Sequence, residues 1–70
     1  MGLFFLFKNT RSVIKAEAVC RCNSIPVEVV PVPEKVSSEC GMALKTKSEY
    51  HQTLSALLEQ NQIAFTLYEE

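Results

Sequence analysis

The stretch that decides the fold is Val27-Glu28-Val29-Val30-Pro31-Val32-Pro33-Glu34-Lys35-Val36-Ser37-Ser38-Glu39-Cys40-Gly41-Met42-Ala43-Leu44-Lys45-Thr46. Its opening residues are β-branched enough for a strand. Pro31 and Pro33 each lock φ and remove a backbone donor, so this strand cannot continue far in regular pairing. The chain then turns out into a loop from Val32 to Glu39, and Met42 to Thr46 alternates well enough to be the next strand. Two strands therefore follow one another with no helix between them.

Working outward toward the N-terminus, Leu3-Phe4-Phe5-Leu6-Phe7 is a short continuous apolar run closed by Lys8-Asn9-Thr10. It predicts a buried strand running into a helix capped by Asn9 or Thr10. From Arg11 to Cys22 there is no Gly or Pro, and Val13, Ala16, Val19 and Cys20 cluster on one side at 100° per residue. That is an amphipathic helix, broken by Asn23-Ser24. Toward the C-terminus, Ser48 is expected to cap a second helix with Tyr50, Leu54, Leu57 and Leu58 on one face, ended by Asn61-Gln62. Ala64 to Tyr68 alternates as the last strand, and the two closing glutamates fray. The expected strands lie near 2–7, 26–31, 41–46 and 64–68, and the helices near 10–22 and 48–60. This β-α-β-β-α-β order specifies an α+β, ferredoxin-like split βαβ fold: a four-stranded antiparallel sheet with both helices on one face. The first strand is apolar at every position, so either Phe4 and Leu6 or their neighbours must point to the face without helices. Apolar surface left uncovered there predicts a homodimer or another partner on the open sheet face.

Seventy residues make a single domain, 1–70, and one that buries only about 60% of its unfolded surface, which favours reinforcement by partners. Seven basic against eight acidic residues, no Trp and no run of Lys or Arg leave nucleic-acid binding without an electrostatic footprint. The apolar opening is too short for a membrane span and lacks the flanks of a secretory signal. Three cysteines, an odd number, argue against a disulfide framework and for a reducing cytoplasm.

Chemistry centres on Cys40-Gly41. Pro31 and Pro33 stiffen the approach, Ser37 and Ser38 supply hydroxyls for the backbone or the sulfur, and Gly41 permits positive φ or close passage of a ligand. The thiol is then placed at a loop end, although a free cysteine at a strand start also serves as a small half-buried hydrophobe. Lys35 or Lys45 would favour its thiolate, and Glu39 would oppose it. A Cys40–His51 pair is conceivable, with His51 near the start of the second helix. Cys20 and Cys22 look like a C-x-C chelate but stand 200° apart on a helix, so no metal or cofactor is expected there. Cys20 belongs to the core and Cys22 to the surface. Glu17 borders the apolar stripe, four residues before Arg21, with which it is expected to pair.

Ile25-Pro26, Val30-Pro31-Val32-Pro33 and Val36-Ser37-Ser38-Glu39-Cys40-Gly41-Met42-Ala43-Leu44 together resemble the signature of the small bacterial selenium/sulfur carrier protein-like family, formerly a domain of unknown function. The flanking strands and helices are similar to that family as well, so the resemblance covers nearly the whole chain, although Cys20-Arg21-Cys22 is not part of the pattern. It implies a carrier rather than a complete enzyme. Cys40 would receive sulfur or selenium as a persulfide or selenopersulfide, with Ser37, Ser38 and Gly41 around it. A donor protein such as a cysteine desulfurase would supply the atom and an acceptor enzyme would take it. Two other classes stay open. One is a non-catalytic interaction or scaffold module; the other is a thiol redox protein pairing Cys40 with Cys20 or Cys22, which requires Cα atoms within about 7 Å.

Overall fold

The computed structural model describes residues 2–32 and 41–69. The order is β1 (Leu3–Leu6), α1 (Thr10–Cys22), β2 (Glu28–Pro31), β3 (Met42–Thr46), a 3₁₀ turn (Ser48–Tyr50), α2 (His51–Gln60) and β4 (Thr66–Glu69). The strands form one sheet in the order β2-β3-β1-β4, with every neighbouring pair antiparallel. The central position of β1 accounts for its unbroken apolar sequence, since both of its faces are covered.

Register separates the two faces. Val29, Leu44, Phe5 and Leu67 form one cross-strand row, and Val30, Ala43, Leu6 and Thr66 form the next, on the opposite face. The first face packs under the helices: Leu3, Phe5, Phe7 and Leu44 form one core with Val13, Ala16 and Cys20 of α1 and Leu54 and Leu58 of α2. Both helices therefore lie on one side, as the element order predicts.

The reverse face differs from expectation. Phe4 and Leu6 do point to it, but they are only 5% and 7% exposed. They form a second cluster with Ala43, against which Val30, Val32 and Tyr68 pack. The Tyr68 ring centroid stands 5.9 Å from that of Phe4, and the Lys45 ammonium lies 5.8 Å from the Phe4 centroid. Neighbouring side chains thus lean over the two central ones and shelter them within the chain.

Asn9 caps α1, its side-chain oxygen accepting from the Ser12 N–H at 2.9 Å. Ser48 does not cap α2 as expected. It opens the 3₁₀ turn, and α2 begins after Tyr50 without a side-chain cap. The i→i+3 bond from the Tyr50 N–H to the Lys47 carbonyl, 3.0 Å, tightens the entry instead.

Candidate functional site

Gly41 stands immediately before β3 with φ +73°. A side chain built there would meet nothing within 4 Å, so the backbone conformation, not lack of space, calls for glycine. Its carbonyl accepts from the Val32 N–H at 3.2 Å, beyond the Pro31–Met42 pair of the β2–β3 ladder. One backbone hydrogen bond therefore ties together the points where the chain leaves β2 and returns to β3. Gly41 itself is exposed. Cys40, Ser37 and Ser38, together with Lys35 and Glu39, lie outside the described residues; Cys40 is bonded to Gly41.

The ladders locate Gly41 relative to the other candidates. Ala43 pairs with Leu6 and Leu6 with Thr66, so Gly41 lies at the end of the sheet where β1 finishes and α1 begins. His51 follows Thr46, which pairs with Leu3 at the other end, about 17 Å away along a five-residue strand. The structure thus places His51 at the opposite end from Gly41, and the Cys40–His51 pair receives no support. Lys45 is also far down β3, roughly 13 Å from Gly41 by strand rise, and is held over Phe4. The described cations nearest in the fold to Gly41's end are Lys8 and Arg11, at the entry to α1. Their position follows from the chain reversal at Asn9, which no local spacing around Cys40 reveals.

The helix thiols are well separated in character. Cys20 is fully buried, and burial, followed by the negative charge of Glu17, pushes its thiol up to about 11. It is neutral near pH 7 and a poor nucleophile. Cys22 is exposed, but it ends α1, about 18 Å along the helix from Thr10 and thus away from Gly41's end of the sheet. Glu17 pairs with Arg21 as expected. Among the described residues no three His, Cys, Asp or Glu side chains are grouped to hold a metal ion, and no helix is long and apolar enough to cross a membrane. An open cleft of about 310 Å³ lies at the far end of the sheet, lined by Gly2, Pro26, Val27, Glu28, Lys45, Thr46 and Lys47. The Thr46 hydroxyl there donates to the Pro26 carbonyl at 2.8 Å.

The family model described as "Putative Se/S carrier protein-like" matches residues 3–69. The chain belongs to this family. No curated protein and no solved structure matches it. The match to the carrier-like family runs from β1 to the end of β4 and so includes both the β2–β3 connection and the sheet that holds its ends.

Proposed function

We propose that the chain is a chalcogen carrier working on Cys40. The observation that carries this reading is membership of the carrier-like family across residues 3–69. It is supported by the exposed, positive-φ Gly41 directly after Cys40 and by the backbone bond that anchors the connection at Val32 and Gly41. The Cys40 thiolate would attack the outer sulfur of a donor cysteine persulfide. The donor S–S bond breaks, the donor cysteine leaves as thiolate, and Cys40 becomes the persulfide, with no net oxidation. Selenium would be carried in the same way as a selenopersulfide. An acceptor's nucleophile then attacks the outer atom and Cys40 leaves as thiolate.

Such a role needs an accessible, partly ionised thiol and a partner on each side, so the chain would act as a cytoplasmic carrier between a desulfurase-like donor and an acceptor enzyme rather than as an enzyme in its own right. Ser37, Ser38 and the Gly41 amide are the proposed donors to the sulfur. The redox alternative has less in its favour, because Cys20 is buried with a raised pKa and Cys22 closes the far end of α1. Incubation with a cysteine desulfurase and cysteine, followed by intact-mass spectrometry, tests the reading. One added sulfur, released by dithiothreitol, is expected; a mass that stays unchanged with this donor and with sodium polysulfide overturns it.

A further inference from the structure

The N-terminal end of α1 is charged against its own helix dipole. Acidic side chains are favoured at a helix N-terminus and basic ones at the C-terminus. The first turn of α1 holds no acidic residue, while Lys8 before the cap and Arg11 and Lys15 in the first two turns are exposed bases. The one acid of the helix, Glu17, is engaged by Arg21. From Ser48 to Glu69, in contrast, there is no Lys or Arg, and Glu49, Glu59 and Glu69 are exposed. The overall charge of −1 therefore conceals a basic α1 and an acidic C-terminal third. Helix formation does not require this, since glutamate or glutamine would serve exposed positions equally well.

A second observation lies on the same surface. Ile14 is 63% exposed, more than Val29 or Leu67 at the sheet edges. At 100° per residue, Arg11, Ile14, Lys15 and Ala18 fall within about 100° of arc, opposite the buried Val13, Ala16 and Cys20. Across this face the order is Ile14, Ala18, Arg11, Lys15, so an exposed apolar edge runs directly into a cationic one. Such a pairing lets charge steer and orient a partner of opposite sign while the apolar side chain makes contact.

We propose that the outer face of α1, formed by Arg11, Ile14, Lys15 and Ala18 with Lys8 beside it, is a docking surface for an acidic protein partner. Charge complementarity selects the partner's sign, and Ile14 supplies the apolar contact. One large apolar side chain is too little to hold an interfacial helix in a membrane. Lys8 and Arg11 lie at the same end of the fold as Gly41, so a partner seated here lies beside the exit of the β2–β3 connection. The inference stands on charge and exposure and does not depend on the chemistry of Cys40.

The test titrates the isotope-labelled full chain at low salt with a synthetic acidic amphipathic peptide of Glu and Leu at helical spacing, followed by amide shifts. The largest shifts are expected between Lys8 and Arg21, with binding weakened about tenfold by Arg11→Glu/Lys15→Glu. Ile14→Ser should weaken it severalfold and added salt should weaken it further. Because Arg11 lies in the first turn, Arg11→Glu suits the helix dipole, so the melting temperature of that single variant should not fall while its binding does, which separates docking from a role in folding. Shifts centred on Lys45 and Lys47, or a double reversal that leaves affinity unchanged, would overturn the proposal. So would binding to phosphatidylglycerol vesicles or to single-stranded DNA that the reversals abolish while peptide binding persists. Self-association lost on reversal, without peptide binding, would assign the face to a second copy.

Discussion

At the scale of single residues, two backbone and side-chain states carry measurable consequences. The Cys20 thiol keeps its proton in the folded chain up to about pH 11, against about 9 when unperturbed. Below pH 9 both folded and unfolded chains hold the proton; between 9 and 11 the unfolded chain releases it first, so stability falls as pH rises. The loss attributable to Cys20 is on the order of 2 kcal/mol. Urea unfolding at pH 8 and 11 should show this drop in the parent chain and a shallower one in Cys20→Ala, even though that variant starts less stable. Gly41 is the second case. Its φ of +73° with open space around the missing Cβ means that Gly41→Ala should cost about 1 kcal/mol from backbone conformation alone, and Gly41→Asn less. Equal costs for the two would show that the left-handed conformation is not what glycine serves. At this scale the sequence was readable where a residue's role is local: Gly41 for positive φ, Cys20 for the core and Glu17 for Arg21 all follow from neighbours within a turn. Lys45 was not readable, because whether it turns toward Cys40 or toward Phe4 depends on a strand partner elsewhere in the chain.

At the scale of elements, the two α-helices stop in the same way. Ser24 and Gln62 have φ of 58° and 57°. The next residue then donates back to the helix, Ile25 to the Cys20 carbonyl at 2.9 Å and Ile63 to the Leu58 carbonyl at 2.9 Å. Ile25 and Ile63 are both buried, which completes the hydrophobic part of a Schellman stop. Asn23 and Asn61 each donate a side-chain N–H to a carbonyl four residues back, at 2.8 Å. Asn23-Ser24 and Asn61-Gln62 were the legible signals, and they placed the helix ends at Cys22 and Gln60, whereas the part played by Ile25 and Ile63 appears only in the fold. The start of α2 was less legible, since Ser48 has the chemistry of a cap but the chain tightens into a 3₁₀ turn there. Caps differ accordingly in their expected cost. Asn9→Ala should lower stability by about 1 kcal/mol because the Ser12 N–H loses its partner, whereas Ser48→Ala should change it little, as chemical denaturation of the two variants will show.

At the scale of the whole molecule, the antiparallel four-stranded sheet and the placement of both helices on one face were legible, because two successive strands with a helix before and after them leave few alternatives. The sheltering of Phe4 and Leu6 was not, because it depends on Val30, Val32 and Tyr68 arriving from two other strands. The same limit applies to the site. Cys40 can be singled out by its neighbours in sequence, but the distance from Gly41's end of the sheet to His51 and Cys22 appears only when the ladders are drawn. This separation makes the proposal specific, since a carrier thiol next to Gly41 would have to work without Cys22 or His51, both of which the ladders put toward the other end of the sheet from Gly41. The most direct test is peptide-level mass spectrometry after sulfur loading of the parent, Cys40→Ser, Cys20→Ala and Cys22→Ala chains by a cysteine desulfurase. The account predicts one added sulfur on the Cys40 peptide in every chain except Cys40→Ser, which should take up none. Sulfur on the Cys20 or Cys22 peptide instead, with loading undiminished in Cys40→Ser, would contradict it.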